Sequence, residues 1–421
     1  MLARIYPSAI SGRVVAPPSK SIAHRALICA GLTHGESTLS GILPSADMAA
    51  TIRGLEALGA MVYLDGTAAR VIGCGGHISQ AATPVDCGES GSTLRFLLPI
   101  LALSEGTRRL TGKGRLPQRP LGAYADIFKV QGLPFSQEAE GVSFSGPLKP
   151  GLYELPGDMS SQFLSGLLFA LPLLRDDSEI RIMPPFESRS YVELTLDVLS
   201  SFGVRADFTD AYTLRISGGQ AYAPHTCYKV EGDASQAAFF MLAGAVLGGV
   251  SIEGLNKDSK QGDMAMANIL YRCGANTNNA GGTYSPLKSQ LRATDIDLAD
   301  CPDLGPVLMA LGCFCQGETI IHNAGRLRLK ESDRIAAMEE ELAKLGGCLK
   351  SNLDTIYIKG AQLREGQVLS SHGDHRIAMA LAVAAICAGI HAEIRGAEAV
   401  NKSYPGFWAD LKSLGAQIEL I

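Results

Sequence analysis

Hydrophobic and polar positions along the 421-residue chain repeat one arrangement six times. In each copy a segment of helical length runs up to a glycine and gives way to a short strand-like run, as at Leu58-Gly59 before Ala60-Met61-Val62-Tyr63-Leu64. The six glycines are Gly59, Gly132, Gly203, Gly274, Gly346 and Gly415, at intervals of 73, 71, 71, 72 and 69 residues. An apolar residue precedes each except Gly132, which follows Gln131. Glycine there suits a helix C-cap, because the left-handed backbone needed at that place is costly for a residue with a Cβ.

A second helical pattern recurs out of phase with the first. A polar turn rich in Gly, Ser or Asp leads into a strongly apolar run, as at Gly91-Ser92-Thr93-Leu94-Arg95-Phe96-Leu97-Leu98 and Asp374-His375-Arg376-Ile377-Ala378-Met379-Ala380. The copies begin near Ser21, Gly91, Ser160, Asp233, Asp303 and Asp374, spaced 70, 69, 73, 70 and 71 residues apart. These runs are apolar nearly all round and are expected to be buried, whereas the first set is amphipathic and should show one face to solvent. β-Branched runs bounded by turns supply strands: Gly12-Arg13-Val14-Val15-Ala16, Glu179-Ile180-Arg181-Ile182 and Val250-Ser251-Ile252-Glu253. Six copies of about 70 residues, each with two helices and several strands, predict an α/β protein. That period is too long for a solenoid and the chain too long for one core. Three copies in each of two domains is the expectation, and the halves need not divide in sequence order.

Composition narrows what such a protein does. Hydrophobic residues make up 46% and charged residues 19%, which fits a compact chain without a disordered tail. The longest apolar runs, such as Met379 to Ala388, are too short and too interrupted to span a bilayer. Met1-Leu2-Ala3-Arg4-Ile5-Tyr6-Pro7 has neither an apolar signal core nor the pattern of a transit peptide. The ten cysteines include no CxxC, and the closest two, Cys313 and Cys315, would point apart on a helix with no histidine beside them. That argues for reduced thiols in the cytoplasm, against a zinc site or a disulfide framework. A net charge of −5, aromatics at 6% and no basic stripe weigh against nucleic acid as a partner, so any anion must be held by cations focused locally.

The densest such focus is Arg326-Leu327-Arg328-Leu329-Lys330-Glu331-Ser332-Asp333-Arg334, where four cations flank one carboxylate, Glu331. The apolar spacing of Ile335, Met338, Leu342 and Leu345 predicts a helix there, with Ser332 or Asp333 as its N-cap. In a helical turn Lys330 and Arg334 would share a face, where like charges repel unless an anion sits with them. A carboxylate among such cations is a candidate proton carrier. The apolar helices also open on distinctive polar residues. These are Pro17-Pro18-Ser19-Lys20-Ser21-Ile22-Ala23-His24-Arg25, Arg95 one turn beyond Gly91, Ser160-Ser161-Gln162, Pro302-Asp303 and Asp374-His375-Arg376. Helix starts carry free N–H groups and partial positive charge. With Lys20, Arg25, Arg95, Arg119, Lys330, Arg334, Arg376 and Lys402 they make provision for more than one phosphate or carboxylate.

Ordinary readings compete at several positions. Ser160 and Ser161 suit plain N-capping, Asp303 after Pro302 could equally cap its helix, and His375 suits a buried structural role. Arg95 resists such a reading, because an unpaired cation inside an apolar helix is costly. Gly73-Cys74-Gly75-Gly76 reads as a tight turn between strands, since no helix of the right kind follows it. No GxxxxGK[ST] or GxGxxG element occurs, which leaves nucleotide-dependent phosphoryl transfer and dinucleotide binding without support.

Eight segments in order resemble the 5-enolpyruvylshikimate 3-phosphate synthases, a family of enolpyruvyl transferases, over essentially the whole chain. They are Ser19-Lys20-Ser21 with His24-Arg25, Gly88-Glu89-Ser90-Gly91-Ser92-Thr93-Leu94-Arg95, Arg119-Pro120, Ser160-Ser161-Gln162-Phe163, Glu231-Gly232-Asp233-Ala234-Ser235, Leu329-Lys330-Glu331-Ser332-Asp333-Arg334, Asp374-His375-Arg376 and Asn401-Lys402-Ser403-Tyr404-Pro405. The resemblance implies two similar α/β domains, each of three βαβαββ repeats with buried parallel helices. Residues 19–230 would form the N-terminal domain, on the shikimate-phosphate side. Residues 1–18 with 231–421 would form the C-terminal domain, with the catalytic carboxylates and the phosphoenolpyruvate-binding cations. The implied reaction joins shikimate 3-phosphate to phosphoenolpyruvate by addition and elimination and releases phosphate, with no metal or organic cofactor. The implied protein is a cytoplasmic monomer with small-molecule substrates and no nucleic-acid or membrane partner.

By the same resemblance Lys20, Ser21, Arg25, Ser160, Ser161, Gln162, Ser188, Asp303 and Lys330 would hold shikimate 3-phosphate. Lys20, Gly91, Arg119, Gln162, Arg334, Arg376 and Lys402 would hold phosphoenolpyruvate. Asp303 would accept the proton of the attacking 5-hydroxyl, and Glu331 with Lys20 would protonate and later deprotonate the enolpyruvyl methylene. The chemistry agrees: the enol carbon must be protonated before its neighbour becomes electrophilic, and a second carboxylate must act as base on the alcohol. Domain closure would exclude water from such a site. Two departures stand out. Glu89 replaces an Asn common in the glycine-rich turn, and Arg326 replaces an Asn that touches the shikimate moiety in some members. Three alternatives are weighed against this reading. A UDP-sugar enolpyruvyl transferase usually carries a reactive Cys before its Arg-Pro, and Gly112-Lys113-Gly114-Arg115-Leu116-Pro117-Gln118-Arg119 has none. A non-catalytic phosphometabolite binder leaves Asp303 and Glu331 unexplained. A nucleic-acid-binding repeat protein conflicts with the charge and the scarcity of aromatics.

Overall fold

In the computed structural model, which describes residues 1–79 and 84–421, the chain forms two compact units. One is Met1–Pro17 with Glu231–Ile421, and the other is Pro18–Val230. The first break falls one residue before the 18/19 boundary that the resemblance implies.

Among the described residues each unit holds three four-stranded sheets of one strand arrangement, a parallel pair extended by two antiparallel neighbours. In one sheet Leu152–Pro156 and Ser178–Met183 run parallel, and Thr213–Ile216 lies between Ser178–Met183 and Ala206–Phe208, antiparallel to both. The helix Gln162–Ala170 crosses from the first strand to the second, and Arg189–Ser201 carries the chain to the third. A parallel pair needs such a crossover, while the last two strands need only a turn. The result is a βαβαββ repeat.

The arrangement recurs in order at Val85–Asp86, Gly106–Thr111, Phe135–Glu138 and Gly141–Gly146. It recurs again at Asp295–Asp297, Glu318–His322, Cys348–Ser351 and Ile356–Lys359. The other three repeats take a strand from elsewhere in the chain. Tyr228–Lys229 lies parallel to Glu36–Ser40, and Gly12–Val15 lies parallel to Val250–Glu253. Leu2–Tyr6 is inserted between Ala392–Arg395 and Gln417–Leu420. The N-terminal strands therefore complete sheets of the C-terminal half.

The two helix patterns become two kinds of helix. Ala234–Leu247 carries no charged side chain and is buried from Ala234 to Ala245. It packs on Gly305–Phe314 and on His375–Ala388, which is buried from His375 to Cys387. In the Pro18–Val230 unit the corresponding buried helices are Lys20–Leu32, Gly91–Leu101 and Gln162–Ala170. The amphipathic helices, such as Arg334–Lys344 with Ile335, Met338 and Leu342 turned inward, cover these cores. All six repeat glycines have φ between +69° and +106°, the left-handed backbone that their spacing anticipates. No helix among the described residues is long and apolar enough to cross a membrane.

One close approach fixes two buried helices against each other. The Tyr124 hydroxyl donates to the Arg95 carbonyl at 2.6 Å and approaches that of Phe163 at 3.1 Å. A Cβ built on Gly166 would overlap both the Tyr124 hydroxyl oxygen and the Arg95 carbonyl oxygen, and that backbone cannot yield. Gly166→Ala should therefore cost about 2–3 kcal/mol by overpacking. Scanning calorimetry should show the melting temperature of Gly166→Ala lowered by roughly 5–10 °C. Gly122→Ala, where a Cβ meets nothing within 4 Å, should melt with the wild type.

Candidate active site

In the unit containing residues 231–421, four charged residues of the sequence pattern converge. Asp303 lies in the 3₁₀ turn Pro302–Leu304, and its carboxylate turns to three cations. Its Oδ1 accepts from Lys330 Nζ at 3.4 Å and from Arg334 Nη1 at 3.3 Å, and its Oδ2 accepts from Arg376 Nη2 at 2.9 Å. Arg376 also donates to the Asp303 carbonyl at 3.1 Å and to Ser235 Oγ at 3.0 Å. Behind them Asp374, fully buried, accepts from Arg334 Nε at 2.8 Å and Ser332 Oγ at 3.2 Å. It caps His375–Ala388 by accepting the Arg376 backbone N–H at 2.9 Å.

The shared helical face expected for Lys330 and Arg334 is not what brings them together. The 3₁₀ turn Gly325–Leu329 ends before Lys330, and the helix starts only at Arg334. Asp333 is the N-cap and accepts from the Ala336 N–H, while Ser332 turns away to Asp374. Asp333 is itself extended and residues 330–332 bend before it, so Lys330 stays outside the helix. The two cations meet because both reach Asp303.

The electrostatics follow from this geometry. Burial pushes the Lys330 ammonium down to about 8; Asp303 opposes that, and Arg334, Arg326 and Arg376 add to it. A third of the Lys330 side chain stays in contact with solvent. Burial also disfavours the charges of Arg334 and Arg376, but Asp374 and Asp303 around the first, and Asp303 beside the second, raise both above the ordinary guanidinium value. For Asp374 burial favours the neutral acid, yet Arg334 overrides it and holds the carboxyl below its usual range. Glu331 Oε2 stands 3.0 Å from Nδ1 of His375, a residue the sequence suggested was structural. The other ring nitrogen, Nε2, is buried without a hydrogen-bond partner. Lys402 Nζ donates to the Gly373 carbonyl at 2.8 Å.

Glu331, Asp374 and His375 bring donor atoms within 4.8 Å of one another, as do Glu340, Glu341 and His372. Neither set is well suited to a metal. Asp374 is already taken up by Arg334, Ser332 and a backbone N–H, and Lys344 Nζ donates to both Glu340 and Glu341 at 3.0 and 2.8 Å.

The Pro18–Val230 unit has its own cluster. Arg95 Nη1 donates to Gln162 Oε1 at 2.8 Å, and Gln162 Nε2 donates to Ser92 Oγ at 2.9 Å. The Arg95 guanidinium lies over the Phe163 ring at 5.1 Å. Gly91 opens this helix where a Cβ would sit 2.8 Å from Arg119 Nη1 and 2.9 Å from Arg95 Nη1. Two guanidiniums thus crowd a helix start. Burial, then Arg119, lowers Arg95 to about 10. Arg25 is held by neutral acceptors alone among its named partners: Thr195 Oγ1 at 2.8 Å and the carbonyls of Ser21 and Tyr191 at 2.7 and 3.2 Å. Burial lowers it to about 10 as well. Lys20 pairs with Asp47 at 2.9 Å.

Ser161 makes no side-chain cap bond, and Ser160 Oγ only approaches the Gln162 N–H at 3.4 Å, so capping does not account for the pair. Ser188 is buried and adopts φ +55°, a strained backbone for a serine. Of the two departures, Glu89 lies against Gly114, and Arg326 donates to the Ala299 carbonyl at 2.7 Å. Asp374, Asp47 and Ser235 escaped the sequence reading as site residues. Asp374 stood in a quoted motif, but nothing in sequence spacing shows that one carboxylate serves a cation 40 positions away.

Paired units of three βαβαββ repeats, carrying these anion-handling clusters, define an enolpyruvyl-transferase fold. The enolpyruvyl transferase NikO from Streptomyces tendae superposes with a TM-score of 0.81 over 99% of this chain and 98% of its own, at 19% identity, a likeness of fold. An EPSP synthase from Acinetobacter baumannii gives 0.79 over the full length of both chains at 25% identity. Residues 6–411 match the family model of EPSP synthase (3-phosphoshikimate 1-carboxyvinyltransferase). A 3-phosphoshikimate 1-carboxyvinyltransferase of Clostridium perfringens is 44% identical over 416 residues, 98% of this chain and 97% of its own. The chain belongs to the EPSP synthase family.

Gly91→Ala would push the Arg95 and Arg119 guanidiniums off the helix start without touching the core. Calorimetric titration with inorganic phosphate should show affinity reduced about tenfold. Unchanged affinity would mean that this helix start does not hold anions.

Proposed function

We propose that the protein transfers the enolpyruvyl group of phosphoenolpyruvate to the 5-hydroxyl of shikimate 3-phosphate. The reaction releases phosphate in the shikimate pathway, on the route to chorismate and aromatic amino acids. The observation that carries this reading is a pair of carboxylates, Asp303 and Glu331, standing among Lys330, Arg334 and Arg376 in a chain of this family. Cations alone would suit a binder. Carboxylates held among them suit proton transfer beside an anion.

In this reading Ser21, Arg25, Ser160, Ser161, Gln162, Ser188, Lys20 and Lys330 hold shikimate 3-phosphate. Lys20, Gly91, Arg119, Gln162, Arg334, Arg376 and Lys402 hold phosphoenolpyruvate. Glu331, with Lys20, gives a proton to the methylene carbon, which makes the adjacent carbon electrophilic. The 5-hydroxyl attacks that carbon as Asp303 takes its proton. Loss of phosphate and of a methyl proton from the resulting tetrahedral adduct then regenerates the enol ether. The cations around Asp303 favour its carboxylate form, which a proton acceptor requires. His375, hydrogen-bonded to Glu331, orients that carboxyl. The protein is read as a cytoplasmic monomer whose partners are these two substrates.

Purified protein given phosphoenolpyruvate should release phosphate with shikimate 3-phosphate and not with UDP-N-acetylglucosamine. Release only with the sugar nucleotide would overturn the substrate assignment; release with neither would leave a non-catalytic binder. Asp303→Asn and Glu331→Gln should each lower kcat by roughly 10²–10⁴-fold. Near-normal turnover in either variant removes that residue from proton transfer.

The pH profile offers a separate check. Lys330 is charged below about 8 and neutral above it in the folded protein, so its contribution to anion binding is present at low pH and lost as pH rises. The value of kcat/KM for shikimate 3-phosphate should therefore fall through pH about 8 in the wild type. Lys330→Arg, which keeps its charge, should lack that limb of the profile.

A further inference from the structure

Helix Ala46–Leu58 supplies none of the residues assigned above to substrate, yet its polar side chains couple to two neighbouring helices. Two of its residues, one turn apart, meet two residues one turn apart on Lys20–Leu32. Asp47 pairs with Lys20 at 2.9 Å, and Thr51 Oγ1 lies 2.7 Å from His24 Nδ1. On its other side Thr51 Oγ1 lies 2.7 Å from Thr93 Oγ1 of Gly91–Leu101. A turn further along, a Cβ on Gly54 would overlap Leu97, so glycine is what lets these two helices approach. Thr93 continues the chain by donating its hydroxyl to Ser90 Oγ at 2.8 Å, and its backbone N–H reaches the same oxygen at 3.2 Å. Ser90 is the N-cap immediately before Gly91. His24, Thr51, Thr93 and Ser90 are all buried.

Counting protons fixes the direction of this chain. Each hydroxyl has one proton to give. Thr93 spends its proton on Ser90, so Thr51 must donate to Thr93, and His24 Nδ1 must then donate to Thr51. The ring is therefore the neutral Nδ1–H tautomer with a bare Nε2, and Nε2 is indeed buried without a hydrogen-bond partner. Burial, then Lys20 and Arg25, holds the imidazolium form of His24 far out of reach. A charged His24 would place a third cation beside those two and leave its Nε2–H buried with no acceptor.

We propose that Asp47 and Thr51 are positioning residues. Through them helix Ala46–Leu58 holds Lys20 in a fixed relation to the Ser90–Gly91 helix start by a one-way buried hydrogen-bond chain from His24. This inference rests on the proposed function, in which Lys20 and Gly91 both contact phosphoenolpyruvate. The predicted fault is specific. Loss of the Thr51 hydroxyl should free the Gly91 helix start, which is assigned to phosphoenolpyruvate alone, while Lys20, assigned to both substrates, stays paired with Asp47. Phosphoenolpyruvate binding should therefore loosen with little change towards shikimate 3-phosphate.

The test compares the full-length wild type with Thr51→Val, which keeps the shape and removes the hydroxyl, and with Thr51→Ser, which restores the hydroxyl. Phosphate release gives kcat and both KM values, and titration calorimetry gives the affinity for phosphoenolpyruvate without turnover. For Thr51→Val the KM and dissociation constant for phosphoenolpyruvate should rise about tenfold. Its kcat and its KM for shikimate 3-phosphate should stay within about threefold. Thr51→Ser should recover most of the loss. A Thr51→Val protein that merely melts lower, with phosphoenolpyruvate affinity and KM unchanged, overturns the proposal; so does equal weakening towards both substrates, or no recovery in Thr51→Ser. If the wild type binds phosphoenolpyruvate but releases no phosphate, the functional reading fails, and the calorimetric comparison still decides the role of Thr51.

Discussion

The buried pair of Arg334 and Asp374 is the interaction on which the cation-rich cluster depends. Both side chains are almost wholly removed from solvent, and breaking such a pair leaves an uncompensated charge worth about 3–5 kcal/mol. Its location matters more than its strength. Arg334 is the first residue of one helix, and Asp374 is the N-cap of another. The pair therefore fixes two helix starts at once, and with them the loop that carries Lys330 and Glu331. Two unit charges at 4 Å repel by about 4 kcal/mol where the effective dielectric constant is near 20. Lys330, Arg334 and Arg376 can share one small region only because Asp303 and Asp374 interleave with them.

The Pro18–Val230 unit solves the same difficulty without carboxylates at two of its buried arginines, Arg25 and Arg95. Arg25 and Arg95 lean on carbonyls, hydroxyls, a glutamine oxygen and the faces of Phe96 and Phe163. Such neutral partners satisfy the guanidinium N–H groups while leaving the positive charge uncancelled. Burial, joined at Arg95 by the charge of Arg119, lowers both cations below their ordinary pKa, to about 10, a sign of charge held at some electrostatic cost. An anion arriving there would be met by charge that no carboxylate has to release first.

The six repeats, both helix classes and the C-cap glycines were legible because each rests on a local rule: period, terminal residue and backbone handedness. The polar residues at helix starts were legible for the same reason. Partnerships across the chain were not. Spacing suggested that Lys330 and Arg334 share a helical face, whereas a cap at Asp333 and a common partner at Asp303 decide their positions. His375 read as structural because a histidine at the start of an apolar helix has many uses, and only the fold shows Glu331 against it. Thr51 gave no signal at all. A threonine on the inner face of an amphipathic helix looks like filler until Gly54 is seen to bring Thr93 within reach.

Repetition explains how one design serves two kinds of chemistry. Every repeat ends its crossover strand at the start of a buried helix, so the fold makes six equivalent positive termini. Side chains then distinguish them. In the Pro18–Val230 unit the three buried helices open on Ser19, Ser90 and Ser161, neutral residues that leave the terminus positive. In the other unit they open on Asp233, on Asp374 and, one residue before the N-cap Leu304, on Asp303. An aspartate at such a place partly neutralises its own helix and gives nearby cations a partner. Serine starts are suited to receiving anions, and aspartate starts are suited to holding cations in place and carrying protons. The proposed reaction needs both. A single ancestral unit could supply the scaffold for either, with the choice made by one residue type at one repeated position.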